Sequence, residues 1–161
     1  MIKTILASVA ALALTATPAL AQNENFTGIR AEIAAGIDDV TSVPESSDVV
    51  YSGAVGFDVP IGNRLIAGVE ANVDNVFQDE RTIGASARLG YAINSATLIY
   101  GKAGYSNYQD VFSRKLDGLR VGGGLEFTLG KNAFVKGEYR YTDFEDNVGS
   151  HGALVGVGLR F

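Results

Sequence analysis

The chemistry open to this chain depends on a single histidine, because its 161 residues include one histidine and no cysteine. His151 directly follows Ser150, and a histidine within hydrogen-bond reach can activate a serine as a nucleophile. Neighbouring residues of a β-strand point to opposite faces, however, and the next residue on the face of His151 is Ala153. We therefore expect no catalytic pair at His151, no cofactor and no metal site.

Acidic residues gather in the long polar segments of the chain. Their carboxylates could collect divalent cations that bridge phosphate groups, since hard cations prefer oxygen ligands. Their spacing matches no ordered calcium loop, and a solvated polar surface explains them equally well. These residues are Asp38, Asp39, Glu45, Asp48, Asp79, Glu80, Asp110, Asp117, Asp143, Glu145 and Asp146.

The elements that must position these residues are β-strands. In the last twelve residues, apolar side chains alternate with glycines and one arginine, a period of two that is typical of a strand. The same alternation recurs along the chain, and no segment keeps a helical period. It predicts eight strands, near residues 26–37, 49–59, 64–74, 82–93, 97–106, 118–129, 133–142 and 151–161.

Short and long connections alternate between these strands. The tight turns are at residues 60–63, 94–96 and 130–132, and such short connections join antiparallel neighbours. All short turns then lie at one end of the strands and all long loops at the other, as in outer-membrane barrels. We predict an all-β fold, an eight-stranded antiparallel up-and-down transmembrane β-barrel.

Glycine decides which face of the strands points inward. Thirteen of the 20 glycines share the even-numbered face with the charged residues, although glycine weakens a strand. A narrow lumen explains this, because long charged side chains fit inside only beside empty positions. We expect the even face to form a luminal ion-pair network and the apolar odd face to contact lipid. The network comprises Arg30, Glu32, Glu70, Arg88, Lys102, Arg120, Glu126, Lys136, Glu138, Arg140 and Arg160.

Aromatic residues of the odd face are sorted by strand end. Rings of aromatic residues at the two membrane interfaces are typical of outer-membrane barrels, whereas scattered strand formers would show no such sorting. The predicted girdles comprise Phe57, Tyr91 and Phe127 near the short turns and Tyr51, Tyr105, Tyr139 and Tyr141 near the long loops.

The amino-terminal residues 1–21 read as a cleavable signal peptide. Lys3 precedes an apolar run that is too short to span a bilayer, and Ala19-Leu20-Ala21 is a small-residue cleavage site. Residues 22–161 would form the barrel domain. The net charge of −5 argues against a nucleic acid partner.

At three stretches the chain resembles a known family. They are Tyr100-Gly-Lys-Ala-Gly-Tyr105, Glu138-Tyr-Arg-Tyr-Thr-Asp-Phe144 and the final Gly-Val-Gly-Leu-Arg-Phe161. The family is that of small outer-membrane β-barrels, opacity-protein-like or porin-family proteins of Gram-negative bacteria related to the transmembrane domain of outer membrane protein A. The resemblance implies location in the outer membrane, with lipid and lipopolysaccharide as surroundings. It also implies recognition by the barrel assembly machinery through Val155, Val157, Leu159 and Phe161.

Three functions remain possible for such a barrel. We favour a non-enzymatic monomer with a role in envelope integrity, or in adhesion through a surface ligand of its long loops. A small porin-like channel for ions or small solutes is the alternative, which an ion-paired lumen disfavours. Some members of such families modify lipid A and carry a His-x-Ser pair near the outer rim. Ala153 stands where that serine would be, so we expect His151 to be an interfacial residue.

Overall fold

The computed structural model describes residues 24–40, 47–75, 81–109, 115–144 and 148–161. Eight antiparallel strands follow one another in chain order and close into a barrel. They are β1 (Gly28–Val40), β2 (Ser47–Pro60), β3 (Leu65–Asp74), β4 (Arg81–Ala92), β5 (Thr97–Gln109), β6 (Lys115–Leu129), β7 (Ala133–Phe144) and β8 (Val148–Arg160). The predicted fold class is confirmed.

The barrel closes where β1 pairs with β8. Arg30 lies opposite Arg160 at one end of this seam, and Asp39 lies opposite His151 at the other. Closure pairs every strand on both sides, so the backbone is satisfied without an exposed sheet edge. No helix in the described ranges is long and apolar enough to cross a membrane.

The strands extend further at the long-loop end than the sequence pattern predicts. Asp38 and Asp39 still pair with β2, and Asp143 pairs with β8. Since antiparallel pairing needs only backbone groups, it continues through polar residues beyond the apolar band. The odd face therefore acquires exposed charges there, at Asp39, Arg81 and Asp143.

The first strand begins later than predicted. Residues Glu24–Phe26 form a short 3₁₀ turn, and β1 starts at Gly28 rather than at residue 26. Gly28 has a φ of 106°, a conformation that glycine adopts without strain. The chain therefore changes direction at this point before it enters the barrel wall. The predicted signal peptide, residues 1–21, lies outside the described residues.

The two faces of the wall differ as their sequence pattern predicts. Odd-numbered apolar residues are exposed on the outside, and Ile33, Leu119 and Val155 reach 68%, 69% and 71% exposure. Most even-numbered charged residues of the strands are buried in the lumen, where Arg30 and Glu126 are 0% exposed. The barrel thus encloses its polar groups and presents apolar side chains outward.

Candidate functional site

The lumen is filled by charged side chains that balance in number. Among the described residues, seven basic and seven acidic side chains form ion pairs there. The bases are Arg30, Arg88, Lys102, Arg120, Lys136, Arg140 and Arg160, and the acids are Glu32, Asp38, Asp58, Glu70, Asp74, Glu126 and Glu138. The luminal charge is therefore zero.

Ten of these side chains form one connected cluster in the half of the lumen nearer the short turns. Arg30 is its most connected base, with Nη1 3.0 Å from Glu32, Nε 3.0 Å from Asp58 and Nη2 2.8 Å from Glu70. Lys102 joins Glu70 to Glu138 at 2.8 and 2.7 Å. We call this set the inner network; its other members are Arg88, Glu126, Lys136 and Arg160.

Four further charged residues form a separate outer cluster, nearer the long loops. Asp74 accepts from Arg120 at 2.8 Å and lies 3.0 Å from Arg140. Arg140 also reaches Asp38 at 3.3 Å, and the Ser150 hydroxyl donates to the same carboxylate at 2.7 Å. The two clusters are each neutral, so neither leaves an unbalanced charge in the lumen.

Most of the pairs join strands that are not neighbours; the exceptions are Arg30–Asp58 between β1 and β2, and Arg30–Glu32 and Lys136–Glu138 within one strand. Glu70 and Arg88 lie on the paired strands β3 and β4, where Arg88 is opposite Gly68. Glu70 binds Arg30 and Lys102 instead. Glu126 similarly binds Arg88 on β4 and Arg160 on β8, although Lys136 is its neighbour on β7. The sequence prediction that Glu70 pairs with Arg88, and Glu126 with Lys136, is wrong, because these long side chains project toward the axis and meet partners from other strands there.

The predicted ion-pair network omits three residues of the even face that lie in the lumen, Asp58, Asp74 and Tyr100. Asp58, 1% exposed, contacts Arg30, Arg88 and Arg160. The Tyr100 hydroxyl donates to the Glu138 carboxylate at 2.8 Å. The Arg88 guanidinium lies 4.4 Å from the centroid of the Tyr100 ring. The even-numbered positions of Asp58, Asp74 and Tyr100 were the signal that could have found them.

The end of the lumen nearer the short turns is apolar. Ile66 and Leu98 are 0% exposed and Phe134 is 1% exposed, and each is the second residue of its strand. Ile66 and Leu98 form a buried cluster with Ala92 and Phe26. The Arg160 guanidinium lies 5.1 Å from the Phe134 ring centroid, at the boundary between this apolar layer and the inner network.

The structure places the predicted girdle residues on the outer face. Tyr141 is half-buried and the other six are exposed. Phe57, Tyr91 and Phe127 lie toward the short turns, whereas Tyr51, Tyr105, Tyr139 and Tyr141 lie toward the long loops. The residues predicted as assembly signal also face outward, and Val155, Val157, Leu159 and Phe161 are exposed by 71%, 51%, 51% and 73%.

His151 lies on this outer face among tyrosines. Its Nδ1 is 2.5 Å from the Tyr139 hydroxyl, and its ring centroid is 4.7 Å from that of Tyr141. The Ser150 hydroxyl points away, into the lumen, where it binds Asp38. The hydroxyl beside His151 is therefore phenolic.

The acidic residues at the outer rim are only partly described. Asp39, Asp48 and Asp143 are exposed there, while Glu45, Asp79, Glu80, Asp110, Glu145 and Asp146 lie outside the described residues. Within the described ranges, no group of three or more His, Cys, Asp or Glu side chains is arranged to hold a metal ion.

One protein family matches nearly the whole chain. The model of the outer membrane protein beta-barrel domain matches residues 7–161. No curated protein matches the chain in sequence. The match extends over all eight strands of the barrel.

Solved structures of outer-membrane proteins share the fold. Neisserial surface protein A is 21% identical over 83% of this chain and 96% of its own, with a TM-score of 0.57. Ail, the attachment invasion locus protein of Yersinia pestis, is 16% identical over 84% and 97%, with a TM-score of 0.61. The outer membrane enzyme PagL is 14% identical over 81% and 99%, with a TM-score of 0.53. At these identities the likeness concerns the fold.

Proposed function

Because this chain belongs to the outer membrane protein beta-barrel domain family, and is thus an outer-membrane barrel, we propose that it is a non-enzymatic barrel with a closed lumen. Its role is structural, in envelope integrity, or adhesive, through its long loops. The balanced ion pairs that fill the lumen are the observation that carries this proposal.

The luminal pairs oppose a channel. Opening a water path past Arg30 would separate it from three carboxylates within 3.0 Å, and breaking buried pairs in a low dielectric is costly. A lumen wide enough for solutes requires more strands than eight. The ion-paired lumen thus supports a static barrel over the porin-like alternative.

The outer rim is where a soluble partner can reach the protein. Asp39, Asp48 and Asp143 are exposed there. With Arg81 as the one base described as exposed at the same strand ends, the surface that these ends offer is acidic on balance. A structure of Ail has been solved in complex with the heparin analogue sucrose octasulfate, an anionic ligand that an acidic rim would repel. We propose instead that the loops of this chain bind a partner with basic groups.

Two further partners follow from the outer-membrane location. The apolar outer face would contact lipid and lipopolysaccharide, with the aromatic girdles at the two interfaces. The exposed Phe161 and the alternating residues before it would bind the barrel assembly machinery. We propose that the mature protein is a monomer that starts near residue 22, after cleavage of its signal peptide.

One contact favours a second candidate, an enzyme acting on outer-leaflet lipid. The Tyr139 hydroxyl is within 2.5 Å of His151 Nδ1 on the outer face near the rim, and an imidazole can accept the proton of a bound hydroxyl. Ala153 occupies the position where a serine would favour acyl transfer. This contact is also what an interfacial aromatic cluster requires, so we rank the enzyme second.

A deletion strain tests the proposal. We expect greater detergent sensitivity if the role is structural, and weaker adhesion with a normal envelope if the loops bind a partner. Complementation by Tyr139→Phe should be complete in either case. Lipid A of altered mass in the deletion strain, uncorrected by Tyr139→Phe, would instead establish the enzyme.

A further inference from the structure

We propose that Asn25 and Phe26 form a stopper that seals the short-turn mouth of the barrel, separately from the ion pairs. The inference deepens the closed-barrel function proposed above and rests on it. The lumen is then closed by two means, the ion pairs of the inner network and the apolar packing of Phe26.

Phe26 fills the mouth of the lumen. Its side chain is 0% exposed, although it lies outside the barrel wall in sequence, before β1. It packs in a cluster with Ile66, Ala92 and Leu98, which come from the short-turn ends of β3, β4 and β5. The three strands therefore supply an apolar socket, and Phe26 is the ring that occupies it.

Hydrogen bonds hold the stopper from two sides of the barrel. The Asn25 side-chain amide donates to the Ser95 carbonyl at 2.9 Å, in the turn between β4 and β5. On the opposite side, Arg160 Nη1 donates to the Asn25 carbonyl at 2.8 Å. The same Arg160 nitrogen lies 2.7 Å from Glu126, so the stopper is attached to the inner network.

The backbone at Gly28 allows the segment to turn into the mouth. Its φ of 106° lies in the region that glycine favours. A Cβ at this position would come within 2.2 Å of the Phe161 carbonyl oxygen. The chain thus enters β1 through a sharp turn that lies against the end of β8.

An apolar seal behaves differently from an ionic one. Acid or a substituted partner weakens an ion pair, whereas the packing of Phe26 against Ile66 and Leu98 is apolar and needs no charged partner. Arg160, with its guanidinium 6.0 Å from the Phe26 ring centroid, is the point where the stopper and the inner network meet. Water reaching the inner network from the short-turn side must first displace this ring. The stopper should therefore control access from that side even when the network is intact.

Cysteine labelling tests this directly, because the chain contains no cysteine. Ala92→Cys places a thiol in the socket beside Phe26, on a side chain only one sulfur atom larger than that of alanine. In refolded protein in detergent, we expect a charged maleimide to label it at least tenfold faster when Phe26→Ala is added. Ser106→Cys is buried near the outer cluster instead, so its labelling rate should not change.

Phe57→Ala is the matched control, since Phe57 is an aromatic residue of the outer face at the same end. It should leave the rate at Ala92→Cys unchanged. If Phe26→Ala reduces the yield of folded barrel, Phe26→Leu should give an intermediate rate. Equal labelling rates with and without Phe26, in barrels of unchanged gel mobility, would overturn the stopper. The deletion-strain phenotypes test the proposed function independently, so the two failures are distinguishable.

Discussion

Replacing Glu126 by glutamine should destabilise the barrel by about 3 kcal/mol. Its carboxylate is 0% exposed and lies 2.8 Å from Arg88 and 2.7 Å from Arg160. Removing one partner of a buried pair costs about 3–5 kcal/mol. Arg160 retains Asp58 at 3.2 Å and glutamine keeps one acceptor oxygen, whereas Arg88 is left with Asp58 at 3.7 Å. These remaining contacts place the loss at the lower end of the range.

Charge balance supplies the control. Glu126→Gln leaves the inner network with one excess positive charge, and adding Arg88→Met removes it. The double variant should therefore be more stable than Glu126→Gln alone, because the unpaired buried charge is gone. The single variant Arg88→Met should be destabilised too, since it leaves Glu126 with Arg160 alone.

The measurement is urea unfolding of the refolded barrel in lipid vesicles. The chain lacks tryptophan, so unfolding is followed by far-ultraviolet circular dichroism and by the mobility of unboiled samples in gels. A free energy of unfolding for Glu126→Gln within about 0.5 kcal/mol of the unmodified protein, the range of ordinary surface substitutions, would refute the reasoning. A double variant no more stable than Glu126→Gln alone would refute the charge-balance argument.

Three further predictions test the wall of the barrel. Val69→Arg, mid-strand on the outer face, should lower the free energy of unfolding by about 2–4 kcal/mol. Leu65→Arg, near the interface, should lower it by only about 0–1 kcal/mol. Equal losses of stability for the two variants in refolding assays would contradict the assignment of this face to lipid. Gly124→Ala should destabilise the barrel, because the added Cβ would lie 2.2 Å from the Gly137 carbonyl oxygen. Gly137→Ala is the control: its Cβ would meet nothing within 4 Å, so the same urea titration should show little change in stability. Deletion of Phe161 should reduce the amount of barrel in outer-membrane fractions, and normal amounts on immunoblots would reject its role as assembly signal.

The sequence predicts the wall of this barrel well because one physical rule governs it. Each residue faces either lipid or lumen, and strand geometry alternates the two strictly. The even positions of Asp58, Asp74 and Tyr100 were thus readable as luminal. Even-numbered Arg64 shows the limit of the rule, since it lies in a turn and is exposed.

The contacts inside the lumen could not be predicted from the pattern. The even or odd position of a residue gives the direction of its side chain. It does not give the height in the lumen at which that side chain meets a partner, because this height depends on strand tilt and side-chain length. Glu126 therefore pairs across the lumen with Arg88 and not with the adjacent Lys136. Phe26 is even-numbered, like the luminal residues of the strands, yet it lies in a 3₁₀ turn. The residues that surround its ring come from distant strands, and the local sequence pattern does not show them.

The division of charge between lumen and rim makes stability and partner binding separable. The luminal ion pairs cancel in charge, so the net charge of −5 is carried by residues that take no part in these pairs. An unbalanced charge is costly only where water is absent, and exposed Asp48 and Asp143 lie in water. Neutralising either should change the unfolding free energy by less than about 0.5 kcal/mol. The same substitution should weaken the binding of a partner that the acidic rim attracts. Asp48→Asn and Asp143→Asn therefore examine the surface role in a barrel of unchanged stability, which no substitution in the inner network allows.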